Sequence, residues 1–208
     1  MALILTVISI FALLIGFETW WRKHRAHSEF SRKFIHIVVG SFVAFWPFYM
    51  SWNWIIILSI AFVIIIATSK YFHIFQSIHA VERPTWGEIF FAVAVGLLAF
   101  ITHEPWIYAA ALLHMSLADG LAAIVGVTWG KKNSYKVLGH PKSLAGSATF
   151  FVVSVILLTG YSHVTGQSLS IDAIVGLAIV TTAIENVGVR GLDNLFVPVI
   201  IGVVLSRI

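Results

Sequence analysis

The sequence predicts an all-α integral membrane protein, a polytopic bundle of about eight transmembrane helices (seven or eight) with its N-terminus outside. Three observations carry that expectation. Of the 208 residues, 59% are hydrophobic and 11% charged, against roughly 25% charged in soluble domains. The apolar residues fall in continuous runs rather than alternating, which argues against a β-barrel. The basic residues are lopsided: of 13 Lys and Arg, all but Arg207 lie in alternate connections between those runs.

Taken in order, the runs are 2–21, 34–50, 52–69, 89–102, 106–128, 147–160, 171–187 and 195–206. The longer ones reach the ~20 residues a helix needs to cross a hydrocarbon core, and the shorter ones fit if tilted or partly interfacial. Residues 2–21 are expected to be a retained helix. They lack a basic leader, and "WWRKHR" stands where a cleavage site would have small residues.

With the N-terminus outside, the inner connections are 22–33, 70–88, 129–146 and 188–194. They carry Arg22, Lys23, Arg25, Arg32, Lys33, Lys70, Arg83, Lys131, Lys132, Lys136, Lys142 and Arg190. The net charge of +4 is then membrane topology rather than a nucleic-acid surface. Cysteine is absent, which excludes disulfides, thiolate metal sites and a cysteine nucleophile. Residues 1–208 form one membrane domain, with neither linker nor repeat. A homo-oligomer is compatible with the sequence.

Ionisable residues at membrane depth are costly and usually functional. Here His36, Glu88, Asp119, Glu185 and Asp193 all fall toward the inner ends of their helices, so the polar chemistry converges on one cytoplasm-facing site. Asp119, Ala123, Gly126 and Gly130 share a helix face that is small apart from the carboxylate. That face is either a packing stripe, with "GVTWG" as a GxxxG contact, or a carboxylate facing a polar cavity.

The following loop, "GKKNSYKVLGHPKSLAGS" (about 129–147), gathers phosphate-binding parts. It has Lys131, Lys132 and Lys142, the flexible Gly146, and the hydroxyls Ser143 and Ser147 beside a helix N-terminus. The bland alternative is an inner loop rich in lysine for topological reasons alone. It is not a Walker A loop, since "GVTWGKK" is one residue short of the pattern and follows no strand.

Arg32 and His36 in "SRKFIH" are i, i+4 partners, fit either for phosphate contact or for interfacial anchoring. In "ERPTWGEIFF", Glu88 is placed to hold Mg2+ or to pair with Arg83. In "TTAIENVGVRGLDNLFVPV", Glu185, Asp193 and Asn194 form an oxygen-ligand set suited to Mg2+, although Asp193 would serve equally as a helix N-cap. Carboxylates beside a lysine-serine-glycine loop suit metal-assisted phosphoryl transfer.

On "RKFIH", "ADGLAAIVGVTWGKK…PKSLAGS" and "ENVGVRGLDNLFVPV", in that order along nearly the whole chain, the sequence resembles the CTP-dependent polyprenol kinase family. That family includes dolichol kinase, phytol kinase and the yeast-type diacylglycerol kinase. The resemblance implies transfer of the γ-phosphate of CTP, with Mg2+, to the hydroxyl of an isoprenoid or related lipid alcohol. It implies that Asp119 is a metal or catalytic carboxylate and that Lys131, Lys142 and Ser143 hold the triphosphate. Glu185, Asp193 and Asn194 would complete the site, and Arg32 and His36 would flank it. The short chain favours a compact phytol- or polyprenol-kinase-like member. Two rivals predict different outcomes. A cytidylyltransferase making a CDP-lipid would release pyrophosphate, and a small transporter would carry polar residues through the whole membrane depth.

Overall fold

The computed structural model describes residues 28–72 and 86–208, with isolated positions 12, 16 and 19. The expected first helix, 2–21, and most of the 70–88 connection, Arg83 included, lie outside the described residues. So does the side chain of Arg32, whose backbone is helical.

The described chain runs α1 (Ser28–Ala44), a 3-10 turn (Trp46–Phe48), α2 (Trp52–Phe72), α3 (Gly87–Ile101) and α4 (Pro105–Leu113). A π turn (His114–Ala118) then leads straight into α5 (Asp119–Trp129). After a 3-10 turn (Gly130–Asn133) come strands β1 (Ser134–Val137) and β2 (His140–Ser143), then α6 (Leu144–Thr165), α7 (Ile171–Val187) and α8 (Asp193–Leu205).

Among the described residues three helices are long and apolar enough to cross a membrane: Trp52–Ser69, Pro105–Asn133 and Leu144–Thr165. Lys33–Phe48, Gly87–Ile101 and Asp193–Leu205 are apolar but shorter. Their outward faces are greasy, with Ile57, Ile60 and Ile64 of α2 and Val152 and Ile156 of α6 all exposed. A surface of this kind is stable against lipid rather than water.

The helix at the centre is α4. Pro105 occupies its first turn, where a missing N–H costs nothing, and Ile107 through Leu112 are all buried. Trp46, Leu98, Leu158 and Ile201 close around it from α1's end, α3, α6 and α8. Trp52 sets its ring edge against Tyr108 with centroids 5.7 Å apart. With apolar solvent outside, close packing rather than burial holds such helices together, so small residues sit where axes cross. A Cβ on Gly40 would collide with Ser116 of the π turn, and one on Gly120 with Ile37. Helix α1 therefore lies directly against the π turn and α5.

Two features depart from the expectation of regular helices joined by loops. The run 106–128 is not one regular helix. The π turn inserts an extra residue, which rotates everything after it by roughly 100°. The segment 129–147 is not an irregular loop, because its middle is an antiparallel hairpin that pairs Ser134 with Ser143, Tyr135 with Lys142, Lys136 with Pro141 and Val137 with His140. Its two-residue turn places Leu138 at φ 48° and Gly139 at φ 81°. Two successive positive φ values give the turn whose twist matches a hairpin. Glycine adopts that conformation freely, whereas leucine is strained there.

Candidate active site

The acidic residues come from three helices. Asp119 begins α5, Glu185 lies in the last turn of α7, and Asp193 opens α8. One carboxylate oxygen from each lies within 4.8 Å of the others. All three face a cavity of about 570 Å³, whose far wall is the hairpin and the start of α6.

Each of the first two carboxylates holds a lysine. Lys33 Nζ stands 2.5 Å from Asp119 Oδ2, with side chains only 10% and 6% exposed. Lys142 Nζ donates to Glu185 Oε1 at 2.5 Å and to the Glu185 carbonyl at 2.8 Å. Burial alone would lower the Lys142 pKa. The Glu185 carboxylate and its hydrogen bond outweigh that and, helped by Asp193 and Asp119, raise it above the ordinary lysine value. Asp193 stands apart: its Oδ1 is buried and has no hydrogen-bond partner among the described residues. A buried, unpartnered carboxylate oxygen is expensive unless something binds it.

The π turn explains how Asp119 reaches this place. Rotated back by one residue, it would leave the cavity. His36 Nε2 lies 3.0 Å from the carbonyl of Met115 within the turn and 3.7 Å from Asp119 Oδ2, its ring edge-on to Phe91.

On the opposite wall, Ser143 caps α6 by accepting from the amide of Gly146 at 3.1 Å. Gly126 and Gly130 pack on that cap. A Cβ on Gly126 would come within 3.0 Å of Ser143 Oγ, and one on Gly130 would overlap the same side chain. The small face of α5 is thus a packing stripe and a cavity wall at once, since Asp119, Ala123, Gly126 and Gly130 all line the cavity.

Of the residues singled out from the sequence, Asp119, Glu185, Asp193, Lys131, Lys142, Ser143, Gly146 and Ser147 all line the cavity. The Ser147 hydroxyl is engaged with Asn186 Oδ1 at 2.9 Å. His36 stands behind Asp119. Lys132 is exposed on the 3-10 turn and Glu88 lies in the first turn of α3; neither is part of the cavity wall. Asn194 is buried, but its amide donates to the Gly87 carbonyl at 3.0 Å and ties α8 to α3. Asp193 makes no helix-capping bond.

Lys33 and Arg190, which the sequence presents only as topological charge, also line the cavity. The signal for Lys33 was present: it lies three residues before His36, as good a helical neighbour as Arg32 at four.

The three-carboxylate cluster fits a hard divalent cation. Its donors are all oxygen, they converge, and one of them lacks any other partner. With two lysines against three carboxylates, a divalent ion would leave the site net positive and ready for an anion. Fold and site together define a helical bundle with an oxygen-rich, lysine-lined cavity of a chemistry suited to phosphate.

Comparison with known proteins narrows this class. The chain is 32% identical to the phytol kinase of Synechocystis sp. over 196 residues, covering 90% of this chain and 82% of that one. No family model matches, and no solved structure does. The chain belongs to the polyprenol/phytol kinase family.

Proposed function

We propose that this protein is an integral-membrane lipid kinase that transfers the γ-phosphate of a nucleoside triphosphate to the hydroxyl of an isoprenoid alcohol such as phytol. The observation that carries the reading is the convergence of Asp119, Glu185 and Asp193 beneath Lys33 and Lys142 in one cavity walled by the hairpin. CTP as the donor rests on the family resemblance. The polytopic bundle of about eight helices rests on the apolar runs, and the cytoplasmic side for the site on the basic-residue asymmetry.

Asp119, Glu185 and Asp193 would hold Mg2+, which when bound neutralises charge on the phosphates. Lys33, Lys142, Lys131 and Arg190 supply cationic groups around the same space, and Ser143, Gly146 and Ser147 at the start of α6 line it. The lipid oxygen attacks the γ-phosphorus and its proton passes to a cluster carboxylate. The bond to the β-phosphate oxygen breaks and a nucleoside diphosphate leaves. The apolar outer surfaces let the lipid arrive from within the bilayer, while the nucleotide enters from water past the hairpin.

Product analysis tests the reading. Protein incubated with Mg2+, γ-labelled CTP or ATP and a panel of prenols should place label on the lipid and release nucleoside diphosphate. Release of pyrophosphate would assign cytidylyl transfer instead, and absence of any labelled lipid would remove the kinase assignment.

A further inference from the structure

A two-stranded hairpin with four-residue strands is marginal by itself, yet it carries Lys142 and ends at the Ser143 cap. Something must hold it still. Lys142 is tied to Glu185. Directly across the ladder is Tyr135, whose hydroxyl donates to Asn186 Oδ1 at 2.5 Å. Ser147, in the first turn of α6, completes a triangle, lying 2.6 Å from the Tyr135 oxygen and 2.9 Å from Asn186 Oδ1. The Asn186 amide cannot turn over without loss, because its Nδ2 donates to the Thr182 carbonyl at 2.9 Å. Its Oδ1 is therefore aimed at the two hydroxyls. A cross-strand pair, Tyr135 and Lys142, is thus matched to a sequence-adjacent pair, Asn186 and Glu185. Glu185 lines the cavity, whereas Tyr135 and Asn186 do not.

We infer that Tyr135 and Asn186 are positioning residues for nucleotide binding: with Ser147 they latch the hairpin to α6 and α7 so that Lys142 and Ser143 stand ready for phosphate. The inference rests on the assignment of this cavity to a nucleotide. It predicts an effect confined to the nucleotide, because the latch supports only the hairpin wall.

The test uses the full-length protein and the variants Tyr135→Phe, Asn186→Leu and their combination. Direct binding of labelled CTP and the KM values for nucleotide and lipid are measured. Each single variant should weaken nucleotide binding and raise nucleotide KM about tenfold, the scale of one hydrogen bond. Lipid KM and kcat should stay within about twofold, and the double variant should be no worse than either single one, as expected of one coupled unit. Nucleotide affinity unchanged in Tyr135→Phe, which keeps shape and so should fold, would overturn the latch. A parallel rise in lipid KM would overturn it too. Lys142→Ala separates the two ideas. If it leaves CTP binding intact, the nucleotide assignment itself fails; if it abolishes binding while Tyr135→Phe does not weaken it, only the latch falls.

Discussion

Lys142 shows how the site depends on individual charges. Its ammonium is bound to Glu185 twice, and its pKa is raised above the ordinary lysine value. It therefore stays cationic throughout the neutral range, and no loss of turnover below about pH 10.4, the free-lysine value, should trace to it. A raised folded-state pKa means that its contribution to stability is complete below the unfolded value and lost as pH rises through the folded one. A pH profile of Lys142→Met beside the wild type checks this: the variant should lower activity at every pH without shifting the profile. The Lys33–Asp119 pair is more deeply enclosed. Lys33→Met leaves a buried carboxylate without its cation, and should destabilise the fold by about 3–5 kcal/mol, read as a lowered thermal midpoint in detergent. The double variant Lys33→Met/Asp119→Asn should recover much of that stability and none of the activity. Asp193 offers a third measurement. Because its Oδ1 is unpartnered, Asp193→Asn should weaken Mn2+ binding, followed by electron paramagnetic resonance, with little cost in stability.

Elements were legible in the sequence in proportion to their periodicity. The runs 52–69, 89–102 and 171–187 correspond to α2, α3 and α7 with boundaries off by three residues or fewer, because continuous apolar residues leave little doubt about a helix. The π turn was not legible. "HMSLA" has the same apolar character as its surroundings, and an added residue shows only in which face Asp119 presents. The hairpin was hidden for the opposite reason. Its strands are short and polar, and "VLGH" lacks the Asn-Gly or Asp-Gly that usually marks such a turn. Both hidden features position site residues, as expected where local preferences yield to function. Removing one residue from the π turn, such as Leu117, should turn α5 by roughly 100°. Activity should vanish while helix content by circular dichroism stays the same. At the hairpin tip, Leu138→Asn should relieve the strain at φ 48° and raise the thermal midpoint, being worth about 1 kcal/mol.

Across the whole chain, the candidate site was legible because charge is so scarce. With 11% charged residues, few carboxylates fall in or beside the apolar runs, and Asp119, Glu185 and Asp193 do meet. Lys33 is not legible as a cavity residue, because a basic residue beside a membrane helix reads first as topology, and only the crossing of α1 over α5 at Gly120 reveals its partner. Glu88 and Asn194 read as candidates only through their proximity in sequence to the other polar residues. The fold uses Asn194 to fasten α8 to the start of α3 and leaves Glu88 outside the cavity wall.

Under the proposed function, the carboxylate-lysine cavity is where a lipid alcohol becomes phosphorylated. The most direct measurement is transfer of label from γ-labelled CTP to phytol by wild type, Asp119→Asn and Lys142→Ala, purified in the same detergent and matched for thermal midpoint and monodispersity. Labelled phytyl phosphate should form with the wild type and fall at least about a hundredfold in both variants. Equal labelling by folded Asp119→Asn or Lys142→Ala would contradict the account.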